Sequence, residues 1–85
     1  MEVRVNKKEV ESYSDIHLGI LIMAGTKLEE GLRELEAMKE WERSIAFQSN
    51  DGLKERFETR DVFRKEFGII KLVAFERKFG NINLN

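Results

Sequence analysis

The stretch 26-TKLEEGLRELEAMKEWERSIAF-47 decides how this chain of 85 residues folds. Leu28, Leu32, Leu35, Met38, Trp41 and Ile45 recur every three or four positions, the spacing that gathers side chains on one face of an α-helix. Thr26-Lys-Leu-Glu29 fits a capping box, in which the hydroxyl and the carboxylate each take one of the free N–H groups of a helix start. The spacing therefore predicts a helix from about 27 to 47. Its other face pairs Glu29 with Arg33 and Glu36 with Lys39 at neighbour spacing.

Upstream, 16-IHLGILIMAG-25 is almost wholly apolar, and periodicity alone does not separate a buried strand over 16–24 from a helix. The helical alternative starts at Asn6, a capping residue with Glu9 three positions on, and continues through Val10, Tyr13, His17, Leu21 and Ala24. Leu18, Leu21, Gly25, Leu28, Leu32 and Leu35 also follow alternating spacings of three and four, as the seam of a coiled coil does, until Lys39 and Glu42 end the series. Such a seam packs either against the same chain or against a second copy.

Downstream, 48-QSNDG-52 reads as a turn, with Ser49, Asn50 or Asp51 placed to cap the next helix. Leu53, Phe57, Phe63, Phe67 and Ile70 then share one broad sector. The heptapeptides ending at Gly68 and Gly80 each hold two phenylalanines four apart. They read as two helix endings, with Phe63 and Phe67, then Phe75 and Phe79, as same-face neighbours before a terminal glycine. A strand at 69-IIKLVAFER-77 is the competing assignment on β-branched and aromatic content. The alternating segments 2-EVRV-5 and 81-NINLN-85 could pair as a small sheet.

The expected architecture is a mainly α single domain over 1–85, a helical hairpin or bundle of three to four helices. A minor two-stranded element from the termini gives the α+β alternative. No proline or low-complexity linker divides the chain.

Composition limits the chemistry. Cysteine is absent, which removes disulfides, thiolate metal sites and thiol nucleophiles and suits a reducing, cytoplasmic setting. The apolar run is well short of the roughly 20 residues that span a bilayer, so no membrane association is expected. His17 is the one histidine; no nucleophile elbow, phosphate loop or dinucleotide fingerprint occurs. No catalytic, cofactor-binding or metal-binding residues are assigned. Glu36 and Glu40 share a face of the expected helix, but the sequence lacks the loop of an EF-hand and the Glu-x-x-His pairs of a di-iron bundle.

The formal net charge is −1, against the positive field of many nucleic-acid binders. The basic residues concentrate in the second half, where eight Lys/Arg face six Asp/Glu over 51–85, so a nucleic-acid surface there is the alternative function. Residues 16–36 have the length of a helix-turn-helix with its turn at Ala24-Gly25-Thr26, but the glutamates after the turn would repel DNA.

Interaction with protein is the leading expectation: a small intracellular adaptor, inhibitor or regulator binding another protein or a second copy of itself. Short motif-free chains often serve such accessory roles, virus-encoded ones included. Aromatic residues and arginine dominate interface energies, which selects Glu40, Trp41 and Arg43 as one contact group and Phe75, Arg77, Lys78 and Phe79 as another. Glu36 joins the first group because six glutamates between Glu29 and Glu42 could imitate nucleic-acid phosphate.

Overall fold

The computed structural model describes residues 5–79. Those residues form five helices and no strand: α1 (Lys7–Glu11), α2 (Asp15–Ala37), α3 (Glu40–Ser49), α4 (Leu53–Glu58) and α5 (Arg60–Phe79). The chain is mainly α, as its periodicity indicates. The proposed pairing of the terminal segments lies outside the described residues, apart from Val5.

Helix boundaries follow local hydrogen bonding. Asn6 caps α1 as expected, its side chain accepting the Glu9 N–H at 2.8 Å, but this helix stops at Glu11. The Ser14 hydroxyl accepts the His17 N–H at 3.1 Å and opens α2. Residues 16–24 are therefore helix, not strand. The capping box at Thr26 is not used either. Nothing in the preceding apolar run breaks the helix, so α2 passes through Thr26, whose hydroxyl donates to the Ile22 carbonyl at 2.7 Å. A continuous helix here also removes the helix-turn-helix.

The helix expected over 27–47 is broken at Met38 and Lys39, both extended, with ψ of 155° and 156°. The Glu42 carboxylate accepts the Lys39 N–H at 2.8 Å, and Arg43 donates to the Leu35 and Met38 carbonyls at 3.0 and 2.8 Å. These two side chains satisfy the groups that the break exposes. The turn expected over 48–52 is shorter, 50–52, because Gln48 and Ser49 finish α3; Gly52 lies in the left-handed region at φ 84°. None of Ser49, Asn50 and Asp51 caps α4: Gly52 holds that position, and no side chain closes it.

Gly68 lies inside α5, and residues 69–77 are helical. A glycine inside a helix costs about 1 kcal/mol relative to alanine. Phe67 and Val73, on either side of it, are both buried, and that packing outweighs the penalty. Gly80 lies outside the described residues.

α2 and α5 run antiparallel along their length. Arg77 meets Asp15 at one end at 2.8 Å, Phe67 lies over Gly25 in the middle, and Arg60 meets Glu36 at the other end at 2.7 Å. Leu18, Gly25, Leu32 and Leu35 are the buried residues of α2, so the leucine seam is filled largely from within the chain. α1 closes one end, where Val10 packs with Leu18 and Val73, and Lys7 bonds Glu76 at 3.1 Å. α3 and α4 close the other, with Phe47 against Phe57 at 5.7 Å between ring centroids.

The result is long and thin, 54 × 22 × 19 Å with a radius of gyration of 15.7 Å; a compact domain of this size has about 12 Å. No described helix is long and apolar enough to cross a membrane.

Candidate interaction surface

The eight residues singled out in the sequence divide into three held by the fold and five directed outward. Glu36 belongs to the clasp between α2 and α5. Its carboxylate takes both Nη atoms of Arg64 at 2.8 Å and Nε of Arg60 at 2.7 Å. The Arg64 guanidinium, helped by Arg60, pulls the Glu36 pKa down to about 2 from the ordinary 4.5. Glu29 is lowered in the same way, by Arg64 first and Arg33 second. The two carboxylates in turn hold Arg64 firmly protonated. Glu36 and Glu40 do not share a helix face, because the break at 38–39 separates them.

Arg43 is half-buried, capping α2 and lying over the Phe57 ring at 5.2 Å. Arg77 bonds Asp15 and donates to the Glu11 carbonyl at 2.7 Å. Three arginines of the basic second half, Arg60, Arg64 and Arg77, are thus neutralised by acids of the first half.

The remaining five face solvent. Glu40 and Trp41 sit in the first turn of α3, where Trp41 is 62% exposed and Ile45, one turn on, is exposed as well. Phe75 and Phe79 meet on the outer side of α5 with their rings tilted at 41° and centroids 4.6 Å apart, and Phe75 is 59% exposed. Lys78 extends its ammonium to 5.6 Å from the Phe79 ring. Leu72, also exposed, lengthens this stripe by one turn.

Sequence reasoning missed Ile16, Ile20 and Met23, which form an outward stripe on α2. The signal was the charge-free run 16–26, which periodicity alone does not divide into a covered and an open side.

An open cleft of about 400 Å³ lies between the α1–α2 turn, α2 and α5. Its walls include Leu21, Leu28, Phe63 and Ile70, with His17, Arg56 and Glu66 among the polar lining. The His17 ring stacks on Tyr13 at 4.3 Å, and its bond to Ser14 is made by the backbone N–H. Among the described residues no cluster of three or more His, Asp or Glu is placed to hold a metal ion. No protein-family model, curated protein or solved structure matches this chain.

Proposed function

We propose that this protein is a non-enzymatic interaction module of the cytoplasm, an adaptor, inhibitor or regulator that works by occupying the surface of a partner protein. The observation that carries this is the stripe of Leu72, Phe75 and Phe79, exposed on α5 while the opposite side of the same helix packs inward through Phe67 and Val73. Contiguous apolar side chains on a surface mark interaction sites, and aromatic anchors supply much of the energy of such contacts. Lys78, its ammonium 5.6 Å from the Phe79 ring, gives the stripe a basic edge. The partner surface that fits it is an apolar pocket bordered by acidic groups.

Pairing of Arg60, Arg64 and Arg77 within the chain favours this over nucleic-acid binding, because each neutralised cation is one fewer for phosphate. Engagement of Glu29 and Glu36 by those arginines likewise thins the acidic face that would imitate phosphate.

The test is affinity capture of the tagged chain from its native lysate, with and without nuclease, beside a Phe75→Glu variant. A stoichiometric protein that survives nuclease and is lost with Phe75→Glu is the expected result. Retention of nucleic acid alone, released by nuclease, would overturn the proposal.

A further inference from the structure

We propose that the outward face of α2 binds a second copy of this chain, laid antiparallel across Ile20 and Met23. The inference rests on the reading that the chain acts through exposed apolar helix faces, and it concerns a different face from the Phe75 stripe. From Ile16 to Thr26 there is no charged residue. Residues 16–25 of α2 are thus apolar on every side but that of His17, yet only the side bearing Leu18 and Gly25 is buried. A helix that is apolar all round belongs inside an assembly.

Ile16, Ile20 and Met23 are 78%, 57% and 62% exposed. Their spacings of four and three continue with four more to Lys27, the alternation of a coiled-coil seam. A two-fold axis between Ile20 and Met23 sets Ile20 of each copy against Met23 of the other. It also lays the aliphatic stem of each Lys27 over the opposite Ile16.

Charge fixes the direction. Lys27 makes no ion pair among the described residues, and the Asp15 side chain remains 88% exposed beside its bond to Arg77. Antiparallel copies bring each Lys27 ammonium to the Asp15 carboxylate of the other, at both ends of the apolar stretch. Parallel copies would instead place Lys27 against Lys27 and align the two helix dipoles, both unfavourable. Gly19, at the edge of the seam, has open space where a Cβ would stand, so the helices can approach to about 8 Å. An anionic bilayer fits less well, since the stripe continues past its one lysine into Glu30 and Glu34.

Three apolar side chains per copy fall short of the about 800 Å² per partner of a standard interface, so the dimer should form reversibly with concentration. Sedimentation velocity from low to high micromolar protein tests this on the full chain. The wild type should shift from monomer to dimer, and Ile20→Glu should stay monomeric with an unchanged far-UV spectrum. Lys27→Glu, which sets a carboxylate against Asp15 of the other copy and leaves the Asp15–Arg77 bond within each chain in place, should weaken the dimer about tenfold. A wild type that stays monomeric overturns the proposal, as does an Ile20→Glu variant that dimerises like the wild type. A monomer that still captures a partner through Phe75 overturns the second copy alone and leaves the interaction module standing. Flotation of the wild type with anionic vesicles in place of dimerisation would also overturn it.

Discussion

Gly25→Ala tests the central contact of the fold. A Cβ on Gly25 would touch the Phe67 ring at three atoms, with Cδ1 and Cζ at 2.7 Å, well inside van der Waals contact. Phe67 is buried and stacks on Phe63 at 5.4 Å, so the ring yields only by breaking that stack and turning into the cleft that both rings line. Overpacking of this kind costs about 1–3 kcal/mol, while replacing a helical glycine by alanine returns about 1 kcal/mol. Gly31→Ala in the same helix gives the propensity term alone, because its Cβ would meet nothing within 4 Å. The Gly31 variant should therefore gain about 1 kcal/mol and the Gly25 variant lose up to about 2 kcal/mol. At this chain length each kcal/mol moves the thermal midpoint by about 4–8 °C. Urea and thermal melts followed by far-UV dichroism measure both. Equal stabilisation of the two variants would refute the close approach of α5 at Gly25. Recovery of the Gly25→Ala loss by Phe67→Leu would confirm where the overlap lies.

Acid should loosen the clasp. Glu36, its pKa lowered to about 2, contributes fully above about pH 4.5 and loses that contribution as pH falls towards about 2; Glu29 is shifted in the same direction. Stability measured against pH should decline across that window in the wild type and decline less in Glu36→Gln; identical slopes would refute the role of the pair. Arg43→Ala strips hydrogen bonds from the last carbonyls of α2 and should cost about 1–3 kcal/mol by urea denaturation. A cost no larger than that of Lys39→Ala would show that the arginine does not hold the break. Ser14→Ala should cost about 1 kcal/mol by removing the cap of α2, and Ser14→Asp should keep it.

What the sequence disclosed and what it hid divide along the range of the interactions. The leucine seam and the ring contacts of Phe63 with Phe67 and Phe75 with Phe79 are set by helical spacing, which letters carry directly. Thr26 misled because capping letters inside a helix have another use: the hydroxyl bonds the previous turn. The break at Met38 was illegible for the opposite reason. No glycine or proline marks it, and the Arg43 and Glu42 bonds that stabilise it are evident only once the break exists. At the candidate surface, residue type alone pointed to Trp41, Phe75 and Phe79. The commitment of Arg77 to Asp15 depends on how α5 is set against α2, across 62 positions of sequence. For Ile16, Ile20 and Met23 the obstacle was periodicity itself, since a helix apolar all round does not reveal which of its sides is covered.

That setting of α5 against α2 rests on fewer contacts than the length of the pair suggests. Residues four apart repeat along α5: Arg60 and Arg64, Phe63 and Phe67, Ile69 and Val73. Sliding α5 by one turn would offer Phe63 to Gly25, Arg60 to Glu29 and Ile69 to Val10, replacing like with like. Arg77 and Glu76 have no such substitutes, because four positions before them stand Val73 and Leu72, which would leave Asp15 and Lys7 facing apolar side chains; of the two, Arg77 makes the more bonds. The Arg77 bonds to Asp15 and to the Glu11 carbonyl therefore select the register, although an exposed ion pair alone contributes only about 0–1 kcal/mol. Arg77→Gln should accordingly lose more than stability. A cysteine pair introduced at Thr26 and Phe67 should cross-link at one rate in the native register, whereas the Arg77→Gln background should also cross-link Thr26 to a cysteine at Phe63. Cross-linking at Phe67 alone, in both backgrounds, would show that the apolar contacts define the register without Arg77.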